Sequence, residues 1–571
     1  MKRLFSEHVK RRTESLDGTW HFSIDNGNVG LSEEWYRTFP VASPIFVPSV
    51  WGTSLGLLDY QGVAWYKRDF YSREGTVRIH FGAVMTSADV WLDGVKLGSH
   101  YGGFCEFDFI TKIMKTGNHT LTVRVDNSVD ELSIPGVTAD WYRHGGIIRS
   151  VTLEHLSGLS ILSNHMCYDI PDDLSSVSVR FDVELYNPSD LTISSRVRIS
   201  IGDLSFMTPA ITVASGERRH LRTDPMTLGR IGLWSPDNPV LYRLVTETET
   251  DDLIDRIGFR KVTATPDGIR INGMLTDIRG VNRHEECTEC GFAFPEAMMS
   301  RDLDIIADLG CNAIRGSHYP NSRPFLDMLD ERGFLFWSEI PMWGTSDPET
   351  LANPLYLERG KDMLTEMVKH YYNHPSIIFW SMHNEIATDT DDAVSLTAEY
   401  FMHLREIGGS RLITYATNRP LTDRCLAYCD VISLNQYFGW YGSDDPAAWD
   451  DFLRDFRARR AALGLSDKPV IMSEFGAAAV YGHRTFDNLR WSEDYQASLL
   501  TSCLEKFHAD PMITGSFVWH FADIRTSQGA LDRARGYNNK ALLNEYRAPK
   551  AAYFAVRELY NRYAREATSN K

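Results

Sequence analysis

Short runs of alternating apolar and polar residues dominate the first part of the chain. Residues 76–81, 88–92 and 119–125 alternate in this way, and Asp93-Gly94, just before a further run at 95–97, tolerates the positive φ of a tight hairpin turn. Short strands punctuated by turn residues are typical of a β-sandwich. We therefore predict a jelly-roll β-sandwich over residues 1–157.

The same pattern continues over residues 158–263, with half-buried strands predicted at 177–185, 194–201 and 241–246. Polar loops separate these runs. A segment of roughly one hundred residues with this pattern suits one immunoglobulin-like β-sandwich.

From about residue 264 the pattern changes to short apolar strands that alternate with longer amphipathic helices, for example at 298–309 and 363–372. The strand candidates are 276–281, 312–316, 334–338, 377–381, 412–416, 431–434, 470–473 and 513–519. Eight such units over residues 264–571 favour a (β/α)8 TIM barrel. The chain is therefore predicted to be a multidomain β plus α/β protein. No glycine-rich dinucleotide or phosphate loop follows a strand, so no cofactor is predicted.

Composition and charge narrow the classes of partner. The 571 residues include 76 acidic residues against 59 Lys plus Arg, which gives a net charge of -17. Nucleic acid and anionic membranes attract basic surfaces, so neither is an expected partner. The amino-terminal residues lack the apolar core of a secretory signal, and no long uncharged apolar run follows. We expect a cytoplasmic protein.

The 8 cysteines are spread irregularly, as expected for reduced thiols and not for a disulfide framework. His284, Cys287 and Cys290 have a spacing that a zinc ion could use, with Cys425 and Cys429 as distant completing ligands. The alternative is that these are ordinary core and loop residues. We predict no metal.

Two glutamates follow predicted barrel strands. Glu385 comes after the fourth strand, next to Asn384, and Glu474 comes directly after the seventh. Barrel enzymes place their chemistry where strands end, so both carboxyls are expected at one mouth. Glycosidic cleavage needs two such groups, one to protonate the leaving oxygen and one to attack or support the anomeric carbon. A salt bridge or helix cap is the alternative for either residue taken alone.

Aromatic residues also cluster after the predicted strands, where they suit the apolar faces and hydroxyl edges of a sugar. Packing in the core is the alternative for each of them. The aromatic candidates for the mouth are Trp343, Tyr437, Trp440, Tyr441, Trp491, Trp519 and Phe521.

Several ordered motifs resemble glycoside hydrolase family 2, and within it the β-glucuronidases, over essentially the whole chain. The motifs are Leu16-Asp17-Gly18-Thr19-Trp20, Gly145-Gly146-Ile147-Ile148-Arg149, Asn282-Arg283-His284-Glu285, Ser317-His318-Tyr319-Pro320, Asn373-His374-Pro375, Asn384-Glu385, Ser473-Glu474-Phe475-Gly476 and Trp519-His520-Phe521-Ala522-Asp523. The resemblance implies the three-domain fold described above and a retaining mechanism. It makes Glu385 the general acid/base and Glu474 the nucleophile, with carboxyls about 5 to 5.5 Å apart.

The same resemblance suggests which other residues contact the sugar. Tyr437 matches a tyrosine beside the nucleophile, Asn384 a residue that binds the 2-hydroxyl, and Asp140 an aspartate that the first domain places at the barrel mouth. The remaining substrate-binding candidates in the barrel are His318, Asn435, Tyr441 and Trp519.

Gly536-Tyr537-Asn538-Asn539-Lys540 resembles the element in which Asn538 and Lys540 bind the carboxylate of a β-glucuronide. The segment 530–535 is longer than usual, so either Arg533 or Arg535 stands where the family has an arginine. Recognition at C4 and C6 is therefore open, and a β-galacturonide or both uronides are alternatives to the predicted β-glucuronide.

A second departure is the short stretch 345–372, where some β-glucuronidases carry a long loop. An open leaving-group side would admit large conjugates or oligosaccharide ends as well as small glucuronides. Two rival functions are a β-galactosidase or β-mannosidase, which Lys540 argues against, and a non-catalytic carbohydrate-binding protein, which would need only one of the two glutamates. The family also implies a homo-oligomer, a dimer or a tetramer.

Overall fold

The computed structural model describes residues 3–441, 448–527 and 533–569. The amino-terminal part forms two antiparallel sheets that enclose Trp20, Phe22, Tyr66 and Phe81. Its elements are β1 (Thr13–Ser15), β2 (Gly18–Asp25), β3 (Ser43–Val47), α1 (Trp51–Leu55), β4 (Val63–Ser72), β5 (Gly75–Phe81), β6 (Val84–Met85), β7 (Ser87–Leu92), β8 (Val95–Tyr101), β9 (Phe107–Ile113), β10 (Gly117–Asp126), β11 (Gly146–Ile147) and β12 (Val151–Leu156).

The strand order is β1-β12-β5-β9 in one sheet and β3-β2-β4-β10-β7-β8 in the other, which is the predicted sandwich. The predicted hairpin turn joins β7 to β8, with φ of 50° at Asp93 and 78° at Gly94. Between β10 and β11 the chain leaves the sandwich and reaches the barrel, where the amide of Tyr142 donates to the carbonyl of Arg525 at 3.0 Å. This excursion brings residues of the first domain to the barrel mouth.

A second, smaller sandwich encloses Ile161, Phe181, Ile199 and Phe259. Its strands are β13 (Ser160–Asp169), β14 (Ser178–Tyr186), β15 (Ile193–Ser195), β16 (Arg198–Ile201), β17 (Leu204–Met207), β18 (Ile211–Val213), β19 (Arg218–Arg222), β20 (Met226–Thr227), β21 (Tyr242–Glu247) and β22 (Asp252–Ile257). The prediction of one continuous strand over 194–201 is wrong. The chain changes sheets there, because β15 pairs with β18 whereas β16 pairs with β17 and β21.

The barrel consists of eight parallel strands that close in sequence order. They are β26 (Ile278–Asn282), β27 (Ala313–Gly316), β28 (Leu335–Glu339), β29 (Ile377–Asn384), β30 (Leu412–Thr417), β31 (Ile432–Asn435), β32 (Val470–Glu474) and β33 (Ile513–Val518). Each overlaps one predicted strand, so the predicted TIM barrel is confirmed. A small antiparallel sheet precedes the barrel, formed by β23 (Val262–Thr265), β24 (Gly268–Ile271) and β25 (Met274–Thr276). Ile269 and Ile271 of this sheet pack among interior barrel residues such as Trp337 and Phe517.

Amphipathic helices surround the barrel, with apolar faces buried against its strands. They are α2 (Glu296–Asp308), α3 (Arg323–Arg332), α4 (Pro348–Leu351), α5 (Pro354–Tyr371), α6 (Asp391–Ile407), α7 (Ala448–Ala462), α8 (Glu493–Ala509) and α9 (Ala551–Ser569). Short 3-10 turns at Leu426–Tyr428 and Ala534–Gly536 and a strand pair, β34 (Ile524–Arg525) with β35 (Tyr537–Asn538), complete the fold. None of the helices in the described ranges is both long and apolar enough to cross a membrane.

Candidate active site

A cavity of about 230 Å³ opens where the barrel strands end. Most of its lining residues belong to the loops that follow these strands, and two come from the first domain. The lining residues are Asp140, Trp141, His284, His318, Trp343, Glu385, Tyr437, Tyr441, Glu474, Trp519, Arg533 and Lys540. The two predicted carboxyls therefore face one enclosed space.

Glu474 is the last residue of β32 and is only 4% exposed. Arg315 Nη1 donates to its Oε1 at 2.7 Å, and the Tyr437 hydroxyl donates to its Oε2 at 2.8 Å. Two residues further on, a Cβ at Gly476 would stand 2.7 Å from the carbonyl oxygen of Trp519, so this crossing of strand ends requires glycine. Both carboxylate oxygens of Glu474 are held, and the side chain has one defined orientation.

Glu385 directly follows β29 and has φ of 55°, a left-handed conformation that is uncommon for a residue with a side chain. Its Oε1 accepts a hydrogen bond from Asn435 Nδ2 at 2.7 Å. Burial, together with the neighbouring charge of Glu474, raises the pKa of Glu385 to about 8. At neutral pH this carboxyl carries a proton that it can donate, and the unusual backbone conformation is consistent with a functional site.

Arg315 lies in the middle of the network, fully buried in β27. Besides Glu474 it binds Glu339 in a bidentate pair, with Nε–Oε2 and Nη2–Oε1 both at 3.0 Å. Nη2 also donates to Asn384 Oδ1 at 2.7 Å. One guanidinium thus sets the positions of the carboxylate and the amide that flank the cavity.

Arg315 and Glu339 are not among the site residues that the sequence predicts. The signal was present, because Arg315 is a charged residue inside the second strand candidate and Glu339 directly follows the third. A charge that is buried at such a position requires a partner, and here the partners are each other and the cavity residues.

Asn384 and Asn435 belong to the same hydrogen-bond network as the two glutamates. Asn384 Oδ1 accepts from Asn435 Nδ2 at 3.1 Å as well as from Arg315. Its own Nδ2 is buried and has no hydrogen-bond partner among the residues that the structure describes. That amide is available to a ligand hydroxyl, as the resemblance implied for Asn384.

Aromatic rings form one wall of the cavity. His318 stacks on Trp519 with centroids 5.1 Å apart, and Trp141 approaches His318 at 5.5 Å. Burial and the nearby Arg315 lower the pKa of His318 to about 3, so the imidazole is neutral. Its Nδ1 lies 2.7 Å from Glu339 Oε1. The predicted positions of Trp343, Tyr437, Tyr441 and Trp519 around the cavity agree with the lining.

Three other aromatic predictions are wrong. Trp440 and Phe521 are buried in the barrel core, and Trp491 packs on Trp440 with ring centroids 5.1 Å apart. The rings follow strand ends, as predicted, but none of the three lines the cavity.

Asp140, Arg533 and Lys540 form a second group of lining residues, here called the far end, that comes from two domains. Asp140 accepts from Arg533 Nε at 3.1 Å and from Asn538 Nδ2 at 3.0 Å. Arg535 instead pairs with Glu545 at 2.7 Å, with 51% of its side chain exposed. Of the two arginines, Arg533 is therefore the one at the cavity, and the candidate role of Arg535 in substrate binding is not supported. Residues 530–532 of the same segment lie outside the described residues.

Lys540 is the cation at this end, and the residue as a whole is 2% exposed. Its Nζ lies 5.0 Å from the ring centroid of Tyr441 and 5.9 Å from that of Tyr437. Within residues 3–441, 448–527 and 533–569, no carboxylate oxygen comes within 4.0 Å of this Nζ. Asn538 is adjacent but does not line the cavity, since its amide is used by Asp140.

The histidine and cysteines considered as zinc ligands do not form a group of three ligand atoms within 4.8 Å in the part of the chain that the structure describes. Among the described residues, the triads whose ligand atoms lie within 4.8 Å of one another contain no cysteine; they are His8-Asp251-Asp252 and Asp327-Asp330-His374. Arg11 already pairs with Asp251 at 2.6 Å and Arg3 with Asp327 at 2.6 Å. The absence of a metal therefore stays a prediction.

Comparisons with known proteins agree with this architecture. Residues 262–564 match the family model described as glycosyl hydrolases family 2, TIM barrel domain, and residues 161–260 match the model glycosyl hydrolases family 2. A β-glucuronidase from Paenibacillus borealis is 28% identical over 95% of this chain and 96% of its own.

Two solved structures share the whole fold. The GH2 β-galacturonidase from Eisenbergiella tayi bound to galacturonate has a TM-score of 0.92 and 33% identity, covering 98% of this chain and 99% of that one. The Ruminococcus gnavus β-glucuronidase has a TM-score of 0.87 and 25% identity, with the same coverage. These matches, together with the two carboxyls that line one cavity at the barrel mouth, show that the chain belongs to glycosyl hydrolase family 2 and is a glycoside hydrolase.

Proposed function

We propose that the protein is a retaining, exo-acting β-uronidase. Glu474 attacks the anomeric carbon while Glu385 protonates the departing glycosidic oxygen, which gives a covalent glycosyl-enzyme and free aglycone. Glu385, now deprotonated, then takes a proton from water, and the resulting attack at the anomeric carbon releases the sugar and regenerates Glu474. The anomeric configuration is inverted twice and is therefore retained.

The two carboxyls have the asymmetry that this sequence of steps needs. Glu385, with its pKa raised to about 8 by burial and by Glu474, begins as the acid. Glu474 accepts hydrogen bonds on both oxygens from Arg315 and Tyr437, an environment suited to a carboxylate nucleophile. The hydrogen-bond partners thus separate the roles of two chemically identical side chains.

One observation carries the choice of sugar: a buried lysine without a carboxylate partner among the described residues lines the same cavity as the two glutamates. A neutral sugar would leave that ammonium group without a counter-charge, whereas the C6 carboxylate of a uronide would supply one. The net charge of -17 repels an anionic substrate overall, so a local cation is required for binding.

The size of the cavity supports action at chain ends. About 230 Å³ lies below the range of pockets that hold drug-sized ligands, and it suits one terminal sugar ring. Asp140 and Arg533 pair at 3.1 Å in the lining of this cavity, and we propose that they limit it to one sugar ring.

The sequence predicts a β-glucuronide, and a β-galacturonide is the second candidate. The galacturonidase from Eisenbergiella tayi is the more similar of the two solved structures compared above, at 33% against 25% identity. The two sugars differ only in the orientation of the 4-hydroxyl, and we propose that the Asp140–Arg533 pair at the far end of the cavity discriminates between them.

The test is hydrolysis of three chromogenic substrates by the purified protein: 4-nitrophenyl β-D-glucuronide, β-D-galacturonide and β-D-galactoside. We expect kcat/KM for at least one uronide to exceed that for the galactoside by about 100-fold or more, because of the charge-assisted contact with Lys540. Proton NMR of the first-formed product should show the β anomer.

Two results would contradict the proposal. Preferential turnover of the neutral galactoside would remove the assigned role of Lys540, and an α anomer as first product would exclude the double displacement. The uronide with the higher kcat/KM identifies which of the two 4-epimers the enzyme prefers.

We further propose that the leaving-group side is open to large conjugates. Residues 345–372 contain helices α4 and α5 in place of a long loop. Helix α5 contacts the first domain, because Arg359 Nη1 donates to the carbonyl of Leu132 at 2.6 Å. A glucuronic-acid-terminated oligosaccharide should then be cleaved with a kcat/KM comparable to that for a small aryl glucuronide. A preference of more than about 100-fold for the aryl substrate would contradict it.

The proposed cellular setting is cytoplasmic, in keeping with eight free thiols, and the proposed assembly is a homo-oligomer, a dimer or tetramer, as the family resemblance implies. Light scattering of the purified protein measures the assembly, and fractionation of the source cells measures the location.

A further inference from the structure

A tight turn in the loop after the first barrel strand holds two cysteines together. The amide of Gly291 donates to the carbonyl of Cys287 at 2.8 Å, and the amide of Cys287 donates back to Gly291 at 3.2 Å. The closed turn brings the backbone nitrogen of Cys290 to within 3.2 Å of Cys287 Sγ. The turn is thus already folded in a way that brings the two thiols together.

The two thiols differ in access. Cys287 is only 1% exposed, whereas Cys290 is partly exposed at the surface of the turn. The pKa of Cys290 is lowered, chiefly by a hydrogen bond from the Cys287 thiol and also by the charge of Arg547. The same hydrogen bond, together with burial, raises the pKa of Cys287. The accessible sulfur is therefore the one favoured as a thiolate.

The other cysteines have different surroundings. Cys105, Cys311, Cys425, Cys429 and Cys503 are buried, and Cys167 lies against the Tyr372 hydroxyl at 3.3 Å. Among the described residues, only the Cys287–Cys290 pair combines a partly exposed thiol with a buried thiol in contact with it.

From this juxtaposition we infer that Cys287 and Cys290 form a reactive dithiol site that takes low-molecular-weight disulfides as its substrate. Cys290 thiolate attacks one sulfur of the small disulfide, RSSR, and releases the first thiolate, so that RS remains bound to Cys290. Cys287 loses its proton to solvent and attacks the Cys290 sulfur, which releases the second thiolate. The two cysteines lose two electrons and become a disulfide, and RSSR gains them and becomes two thiols.

The site is separate from the catalytic cavity and lies at a seam between domains. A Cβ on Gly291 would meet Val50 at 2.8 Å and His144 at 3.0 Å, both in the first domain. On its other side the Tyr537 hydroxyl donates to Thr288 Oγ1 at 3.3 Å. The inference does not depend on the proposed uronidase activity, since neither cysteine lines the cavity.

The experiment treats the native, full-length protein with oxidised glutathione, blocks free thiols with iodoacetamide and digests with trypsin. Cleavage after Arg283 and Arg301 yields the peptide 284–301, which contains both cysteines and no others. We expect this peptide to lose both alkyl labels and to become lighter by two hydrogens relative to the unlabelled peptide. Excess reduced glutathione should restore both labels.

Variants check the order of attack, and circular dichroism confirms that each is folded. Cys287→Ser should retain one glutathione on Cys290, because the second thiol is missing, and Cys290→Ser should take up none. Cys503→Ser, in which a deeply buried thiol is changed, should behave like the parent protein. A parent peptide that keeps both alkyl labels would overturn the inference, as would a glutathione adduct on Cys287 in Cys290→Ser.

Discussion

The two ends of the cavity are built in different ways. At the catalytic end, Glu474 is the last residue of one barrel strand and Glu385 directly follows another. Arg315, within a third strand, donates to Glu474 and to Asn384, the neighbour of Glu385, both at 2.7 Å. At the far end, Asp140 comes from the excursion of the first domain, and Arg533 and Lys540 come from the segment after the last barrel strand.

This difference separates chemistry from recognition. Strand ends are held by the barrel ladder, so the catalytic groups keep a fixed geometry whatever the sugar. Loop segments can change in length and sequence without disturbing the barrel, which suits them to selecting a substrate. We therefore expect substitutions at the catalytic end to affect all substrates and those at the far end to affect uronides selectively.

The largest effect is expected for Glu474→Gln, which removes the nucleophile. The value of kcat/KM should fall by more than about 1000-fold on every glycoside, because no other group can form the covalent intermediate. Steady-state kinetics on the chromogenic uronide measures the loss. Glu399→Gln, a substitution in the pair with Lys361 on helices α5 and α6, is the control and should retain parental activity. Residual activity within about tenfold of the parent would contradict the assignment.

Glu385→Gln should reduce turnover by about 100- to 10,000-fold, with a smaller loss for substrates whose leaving group needs no protonation. The acid form of Glu385 is the active one and its pKa is about 8, so parental activity should fall as the pH rises through about 8. That basic limb should be absent in the variant. A limb that persists unchanged in Glu385→Gln would show that another group supplies the proton.

The same substitution has a predicted effect on stability. Since the pKa of Glu385 lies above the ordinary glutamate value of 4.5, protonation at this site is linked to folding, and the cost to stability grows as the pH rises from about 4.5 towards 8. At pH 7 the melting temperature of Glu385→Gln should equal or exceed that of the parent, as measured by differential scanning calorimetry.

Lys540→Met tests the recognition end. The ammonium group is lost while the side chain keeps its length, and uronide kcat/KM should fall by about 30- to 1000-fold, equivalent to ~2 to 4 kcal/mol. The low activity on the β-galactoside should stay unchanged or rise. Lys468→Met is the matched control, because Lys468 does not line the cavity. Equal losses on charged and neutral sugars would show that Lys540 has only a structural role.

Glu339→Gln is expected to have the smallest effect and tests whether Arg315 transmits positioning to both catalytic carboxyls. Without its bidentate partner the Arg315 guanidinium is less well oriented, and kcat should fall by about 10- to 100-fold. Its positive charge is also less neutralised, so the pKa of Glu385 should decrease and the basic limb should move to lower pH. If kcat fell but the basic limb of the pH profile stayed at the same pH, Glu339 would have only a packing role.

Much of the fold could be predicted from the sequence because local periodicity reports burial. Each barrel strand is a short apolar run, and its ends are marked by the polar residues that follow, which is how Glu385 and Glu474 were found. The continuous strand predicted over 194–201 failed for the same reason. Alternation describes which side of a strand is buried, but it does not say to which sheet the strand belongs.

Site residues could be predicted where they lie in a local family motif. They could not be predicted where their hydrogen-bond partners are distant in the sequence. Asn384, Tyr437 and Trp519 stand beside the catalytic strands, whereas Arg315 acts through Glu339 and Glu474 from two other strands. Between Arg533 and Arg535 the sequence offers no criterion, because two neighbouring arginines on one loop have the same local surroundings. The contact with Asp140, 393 positions away, selects Arg533.

The sequence by itself determined the order of the sandwiches and the barrel, the eight strands and the two acidic residues at their ends, since each depends on residues that are neighbours in the chain. The tertiary structure decided which polar groups meet, which aromatic rings face the cavity and which of two identical carboxyls is kept protonated. Those properties depend on burial and on charges within a few ångströms, and only the closure of the barrel and the reach of the first domain across its mouth bring such groups together.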